Sequence, residues 1–130
     1  MSLKSVALAG LAFSIAAPAL AHHSFAMFDP EKTITQTGVL KELEWTNPHV
    51  WLHMMAPDAT GKQVEWSFEM QAVAQAMSGG WRPDIVKPGD KVIIEFHPLR
   101  DGSRGGELLA ATLPDGKRLG SSATRPAPQR

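Results

Sequence analysis

The chain has 130 residues and balances 13 Lys and Arg against 13 Asp and Glu. It is therefore short enough for a single folded domain, and it has no excess positive charge with which to bind nucleic acid. Hydrophobic residues make up 43% and cysteine is absent, which is typical of a globular protein and excludes disulfides, thiolate metal sites, a cysteine nucleophile and covalent haem.

Residues 1–21 have the pattern of a secretory signal peptide. Lys4 is the only charged residue in this segment, an apolar run follows it, and Ala-Leu-Ala at 19–21 supplies small side chains at the expected cleavage site. A glycine and a proline interrupt the apolar run, which argues against a membrane-spanning helix. We therefore expect a periplasmic or secreted protein whose mature chain begins at His22 and has no membrane span.

The rest of the chain divides into three predicted parts. Residues 22–32 form a leader, residues 33–120 form one folded domain, and residues 121–130 form a disordered tail. The tail is assigned because it has two prolines and no apolar periodicity.

The folded domain has the pattern of five strands and one short helix. Alternating apolar and β-branched residues predict strands over residues 33–45, 50–55, 62–69, 91–97 and 107–113. Helix-forming residues predict a helix over residues 70–77 that ends at a glycine pair. Residues 117–119 are a candidate for a further short strand.

The order β-β-β-α-β-β predicts an all-β fold with one short helix, a small five-stranded OB-like barrel. In this Greek-key barrel the helix lies between the third and fourth strands, and the first strand curves to serve both sides of the barrel. The apolar alternation changes parity around Gly38, where we expect a bulge or a sharp bend. An open five-stranded β-sandwich is the alternative.

The second strand carries polar and aromatic residues on its predicted outer face. If Leu52 and Met54 point to the core, then His49, Trp51 and His53 share the outer face because side chains alternate along a strand.

Three histidines of the barrel are candidate metal ligands. We expect His53 to lie opposite Glu65, and His49 opposite Glu69, on the third strand. Residues four apart on one strand lie ~13 Å from each other, so His49 and His53 cannot bind the same ion. His49 begins the second strand and His97 ends the fourth, which predicts that both lie on one rim of the barrel.

The mature N-terminus is a second candidate site. His22 would offer both its α-amine and its imidazole to one ion, and nitrogen ligands favour Cu(II), whereas a methionine thioether favours Cu(I). The candidate metal ligands are His22, His23, His49, His53, His97 and Met70. The alternative interpretation is a solvated leader and methionines that only fill the core.

Four tryptophans and no tyrosine indicate a different possible use of the barrel surface. Trp51 is the best placed to stack on a sugar or a partner. Trp45 and Trp66 are expected to fill the core, and Trp81 is expected to fix the end of the helix. The chain has neither a nucleophile elbow nor a phosphate loop, and Glu65 and Glu69 alternate with core residues as on a solvated strand face. We therefore expect a protein that is not an enzyme.

Five motifs resemble an uncharacterised family of small secreted bacterial proteins, a domain of unknown function. The motifs are His-His-Ser-Phe-Ala-Met-Phe-Asp at 22–29, Trp-Thr-Asn-Pro-His at 45–49, Lys-Pro-Gly-Asp at 87–90, His-Pro-Leu-Arg-Asp-Gly at 97–102 and Leu-Pro-Asp-Gly at 113–116. The resemblance implies export and a β-barrel, and no particular reaction.

The chain is also similar, more weakly, to small periplasmic copper- and silver-binding OB proteins of metal efflux systems. The similarity lies in the order of His53, Trp66 and Met70, although the last two are one residue further apart than in that pattern and no Met-x-Met pair is present. It implies that these three residues are candidates for a metal site.

The sequence thus predicts a non-enzymatic exported barrel that binds a transition metal, with copper as the first choice. The alternative is a periplasmic module that docks on a protein or glycan through Trp51 and the face of strands two and three, without metal. A copper oxygenase built on His22 ranks third, since so short a chain leaves little room for a substrate platform.

Overall fold

The structure is a computed structural model that describes residues 25–121. The predicted signal peptide, the first residues of the leader with His22 and His23, and the tail from residue 122 onwards lie outside the described residues. Within residues 25–121 there is no helix long and apolar enough to cross a membrane.

Six strands and one short α-helix make up the described part of the chain. After a 3-10 turn at Phe25–Met27, the elements are β1 (Ile34–Glu44), β2 (Trp51–Pro57), β3 (Gln63–Glu69), α1 (Val73–Ser78), β4 (Lys91–Pro98), β5 (Gly105–Thr112) and β6 (Arg118–Gly120). The predicted order of five strands with the helix between the third and fourth is confirmed, and the candidate strand near residue 118 is present as β6.

The first five strands close into a barrel. The sheet order is β3-β2-β1-β4-β5-β6, and β3 also pairs in parallel with β5, with Ser67 opposite Gly105. β6 pairs with residues 110–112 of β5, beyond the residues 105–107 that pair with β3, and so lies outside the closed ring. This is the predicted OB-like barrel, and the open sandwich is wrong because the β3–β5 pairing removes its open edge.

The first strand curves as predicted, but its irregularity lies beyond the predicted position. The first half of β1 pairs with β4 and the second half with β2, and the register shifts between Leu40 and Glu42. Gly38 has a different role: a Cβ there would lie 2.5 Å from the carbonyl oxygen of Met55. Glycine therefore permits the close approach of β2 at the bend, and the bulge follows it.

The interior follows from the alternation of the strands. Leu52 and Met54 on β2, and Ile94 and Phe96 on β4, are almost fully buried, as their spacing predicts. Trp81, after the helix, is also fully buried, and its indole N–H donates to the carbonyl of Gly120 at 2.6 Å. This bond ties the segment after α1 to β6.

The helix begins three residues later than predicted because backbone hydrogen bonds continue the pairing of β2 with β3 beyond the strand ends, to Val50 and Met70. The N–H of Met70 donates to the carbonyl of Val50 at 2.9 Å, and the N–H of Val50 donates to that of Gln71 at 3.0 Å. The N–H of Met70 and the carbonyl of Gln71 thus find their hydrogen-bond partners in Val50, and neither group is left unpaired in the extended conformation. Tertiary pairing therefore outweighs the local helix propensity.

Candidate functional site at the barrel rim

The outer face of β2 carries the predicted side chains, but its register with β3 differs from the prediction by two residues. His53 lies opposite Ser67, and Trp51 lies opposite Glu69. The predicted pairings of His53 with Glu65 and of His49 with Glu69 are therefore wrong as register partners.

The turn between β2 and β3 explains the difference. The Asp58 carboxylate accepts hydrogen bonds from the N–H groups of Thr60 at 2.8 Å and Lys62 at 3.1 Å, and the N–H of Asp58 donates to the carbonyl of Lys62. This aspartate-capped turn occupies residues 58–62, whereas the predicted strands left residues 56–61 as the turn, so the centre of the hairpin moves from residue 59 to residue 60. Because the turn sets the register of a hairpin, β3 slides by two residues against β2.

The two histidines nevertheless reach the predicted carboxylates along diagonals. The Nδ1 atom of His49 lies 3.3 Å from a carboxylate oxygen of Glu69, and that of His53 lies 3.7 Å from one of Glu65. Glu69 was expected on a solvated face, but it is only 5% exposed. A carboxylate buried to this extent requires a polar partner, which His49 supplies.

Four side chains from four strands lie in register across one end of the barrel. We call them the rim row: Trp51, Glu69, Glu107 and His97. Because His49 contacts Glu69 and His97 lies opposite Glu107, both histidines lie at the same rim, as the strand connectivity predicted.

Burial raises the pKa of Glu107 above its ordinary value of 4.5. The neighbouring His97 opposes this rise in pKa, and the negative charge of Glu69 adds to it. The rim row therefore holds two carboxylates on adjacent strands, with the imidazole of His97 opposite Glu107 and the imidazole of His49, from outside the row, beside Glu69.

Glu107 and Glu95 provide a test of opposite effects on stability. We expect Glu107→Gln to raise the free energy of unfolding at about pH 7 and Glu95→Gln to lower it, each by a few tenths to ~1 kcal/mol because solvent screens both groups. A hydrogen bond from Arg118, at 2.7 Å, holds the pKa of Glu95 below its ordinary value.

The pH dependence follows from these directions. A carboxyl whose pKa is lowered by folding stabilises the fold above its unfolded pKa, and this stabilisation is lost as the pH falls through the folded pKa. A carboxyl whose pKa is raised destabilises the fold as the pH rises from its unfolded pKa through its folded pKa. Urea unfolding at about pH 7 and about pH 3 measures the free energy of unfolding of both variants relative to wild type. If both substitutions change this free energy in the same direction at about pH 7, the prediction is contradicted.

The hydrogen bonds of the imidazoles determine which nitrogen is free to bind an ion. The Nδ1 atoms of His49 and His97 each lie 2.8 Å from a backbone carbonyl, that of Met70 and that of Lys32 respectively. A carbonyl can only accept, so Nδ1 carries the proton and Nε2 keeps the lone pair that a metal ligand needs. Metal-binding histidines in proteins are commonly oriented in this way.

His53 is bonded at both ring nitrogens. Its Nδ1 lies 2.8 Å from the hydroxyl of Ser67, and its Nε2 lies 3.3 Å from a carboxylate oxygen of Glu44. A metal would have to displace Glu44 to reach Nε2. His53 is therefore less suited to bind an ion than His49 or His97.

His53, Trp66 and Met70, the three residues suggested by the similarity to copper- and silver-binding proteins, do not lie on the same face of the sheet. His53 lies on the outer face of β2, whereas Met70 is 2% exposed within the core cluster. Trp66 lies opposite Met54 and packs against the same cluster. Strand alternation separates the imidazole from the other two side chains, so these three residues do not form one site.

The leader lies against the barrel beside His97. Phe28 forms an antiparallel bridge with Leu99 and is only 6% exposed. The N–H of Arg100 donates to the carbonyl of Met27 at 2.9 Å. Lys32, at the end of the leader, supplies the carbonyl that His97 contacts. The sequence left this position open, because an extended leader is long enough to reach either end of the barrel.

No three or more His, Cys, Asp or Glu side chains among residues 25–121 are grouped closely enough to hold a metal ion. His22 and His23 lie outside the described residues. Any ion held at the rim by His49 or His97 would therefore need further ligands.

Sequence reasoning missed two polar partners, Ser67 and Glu44. Ser67 was hidden by the register error, and Glu44 comes to β2 only through the bulge in β1. The Asp58-Ala-Thr-Gly segment was the available signal for the position of the turn, since an aspartate at this place accepts bonds from the N–H groups that follow it.

The chain matches a protein family described as a family of unknown function, DUF6152, over residues 10–108. It belongs to this family. No curated protein and no solved structure matches the chain. Membership of DUF6152 confirms the resemblance to an uncharacterised family, and it assigns neither a ligand nor a reaction to the rim.

Proposed function

We propose that this protein binds a transition metal, copper in the first place, through histidines at the barrel rim, and that the site holds the ion without catalysis. One observation carries the proposal: His49 and His97 lie on one rim and each donates its Nδ1–H to a backbone carbonyl at 2.8 Å. Both imidazoles thus offer Nε2 to an ion.

The docked leader supports a contribution from the N-terminus. Its described part begins at Phe25 and lies beside His97. His23 precedes Phe25 by two residues and His22 by three, so neither is more than ~11 Å from Phe25 along an extended chain. If export removes residues 1–21, His22 gains a free α-amine and can chelate one ion with its amine and imidazole.

The chemistry of these donors favours copper. Amine and imidazole nitrogens bind Cu(II) more strongly than the other divalent first-row metals. Glu69 beside His49 and Glu107 opposite His97 add negative charge behind the ligands, an arrangement that orients imidazoles and strengthens metal binding.

The test is a Cu(II) titration of tag-free protein that starts at His22, followed by quenching of tryptophan fluorescence. We expect one-to-one binding that weakens by ~10- to 100-fold in His97→Gln and His49→Gln, and less in His53→Gln. One alanine added before His22 should also weaken binding, because it moves the amine away from that imidazole. Binding no tighter than that of a His-His-Ser-Phe peptide would contradict the proposal.

A second function, from a different class, is docking of a protein or glycan on Trp51. Trp51 is half-buried on the outer face of β2, and its ring lies nearly parallel to the His53 imidazole at a centroid distance of 6.3 Å. Such a platform suits stacking on a planar or sugar ring. Binding of a defined glycan that survives a chelator and is lost in Trp51→Ala would favour this function over the metal site.

A further inference from the structure

Ser67, His53 and Glu44 form a continuous hydrogen-bonded chain across the outer face of three strands. The Ser67 hydroxyl on β3 lies 2.8 Å from Nδ1 of His53 on β2, and Nε2 of that ring lies 3.3 Å from a carboxylate oxygen of Glu44 on β1. The three residues are far apart in the sequence, and the barrel register brings them together.

The direction of the hydrogen bonds follows from the carboxylate of Glu44 at the end of the chain. An ionised carboxylate can only accept, so Nε2 of His53 carries a proton and donates it to Glu44. Nδ1 of the neutral ring then has a lone pair and accepts the hydroxyl proton of Ser67. The donors and acceptors thus run in the order found in catalytic triads, from a nucleophile (Ser67) through a general base (His53) to an acid that orients the base (Glu44).

The surroundings support a change of charge on the imidazole. Glu65 lies 3.7 Å from Nδ1 of His53 and also pairs with Lys41. Two carboxylates therefore flank the ring and would stabilise the positive charge that it gains when it takes a proton from Ser67. Lys41 places a cation at the edge of the same cluster.

The backbone of the serine is paired with a strand on each side, and its side chain can be reached from solvent. Its N–H donates to the carbonyl of Arg104 at 3.3 Å, and it pairs with Gly105 where the barrel closes. Ser67 is partly exposed, and the His53 side chain is 18% exposed. The parallel ring of Trp51 gives the imidazole an apolar neighbour that suits an aryl ester.

The geometry points to Ser67 as a nucleophile that accepts an acyl group from an activated aryl ester, with His53 as its general base and Glu44 as the positioning residue of His53. The Ser67 oxygen bonds to the ester carbonyl carbon while its proton passes to Nδ1 of His53. The bond from that carbon to the leaving oxygen then breaks, and His53 returns the proton to that oxygen, so that a phenol leaves. Water releases the acyl group as a carboxylic acid by the same proton route, so no oxidant or reductant is required.

The experiment uses an alkyl fluorophosphonate, which reports the nucleophile without turnover. The Ser67 oxygen forms a bond to phosphorus, the phosphorus–fluorine bond breaks, fluoride leaves, and His53 takes the proton. The chain starting at His22 is incubated with the probe and a chelator, and peptide mass spectrometry measures the labelling rate of each serine. The chelator keeps the result independent of the proposed metal site.

We expect Ser67 to be labelled ~100-fold faster than Ser78, whose exposed hydroxyl donates to a backbone carbonyl instead of to an imidazole. His53→Gln should abolish the difference, and Ser78→Ala should leave the labelling rate of Ser67 unchanged. Glu44→Gln keeps the shape of the side chain but removes its charge, so an unchanged unfolding midpoint with ~10-fold slower labelling would identify an electrostatic role.

The wild-type protein alone can overturn the inference, whether or not a variant folds. If Ser67 in the folded wild-type chain is labelled no faster than Ser78, then Ser67 is not an activated nucleophile. Hydrolysis of p-nitrophenyl acetate provides the second readout, and a rate that is the same in Ser67→Ala and wild type would also contradict the proposal.

Discussion

Gly105→Ala is expected to lower the free energy of unfolding by about 3–5 kcal/mol, a large share of the stability of a small domain. Gly105 has a φ of +145°, and a Cβ at this position would overlap the carbonyl oxygen of Ser67 on the neighbouring strand. β3 and β5 would have to separate to make room, and their pairing is what closes the barrel.

Gly102→Ala is the matched control for this prediction. Gly102 also has a positive φ, +80°, but a Cβ there would meet nothing within 4 Å. Gly102→Ala should therefore lower the free energy of unfolding only through backbone strain, by ~1 kcal/mol. Urea unfolding followed by tryptophan fluorescence compares the two variants, and equal losses of stability would show that the close approach at Gly105 is unimportant.

The second large effect is expected from Phe28→Ala, which should release the leader from the barrel. Phe28 is 6% exposed against Leu99, and a buried phenylalanine cut to alanine costs about 3 kcal/mol or more. The barrel itself should stay folded, because the closed sheet does not depend on the leader.

Hydrogen exchange provides the measurement for the leader. The amide of Arg100 donates to Met27 in the leader, so its exchange should become ~100-fold faster in Phe28→Ala. Phe28→Leu keeps an apolar side chain and should show a smaller effect. If the metal site at the rim is correct, Cu(II) binding should weaken in parallel; an unchanged Arg100 amide would instead contradict the docking of the leader.

The element order could be predicted because each strand carries its own periodic signal. On β4, Val92, Ile94 and Phe96 occupy alternate positions, and all three are buried. The β4–β5 turn was less well predicted: Gly105 and Gly106 were assigned to the loop, but they begin β5. Glycine there reflects close contact with neighbouring strands, which the sequence of one segment does not reveal.

For the candidate site, the sequence predicted on which face of the strand each side chain lies, but not which residues of the neighbouring strands it contacts. Trp51 and His53 share the outer face of β2 because alternation is a local property of any strand, whereas His49 precedes the strand by two residues. Which residue faces His53 depends on where the turn is centred, and a centre one residue later in the chain exchanged Glu65 for Ser67 as its register partner. The Ser67–His53–Glu44 chain therefore could not be found without the register.

By itself the sequence determined the all-β class, the order of the strands and helix, and the outward direction of His53 on β2, because these depend on local periodicity and composition. The tertiary structure decided the β3–β5 closure, the burial of Glu69, the position of Met70 in the core and the docking of Phe28 beside His97. Each of these joins residues distant in the chain, and the energy of such a contact depends on the packing of both partners, which no local pattern encodes.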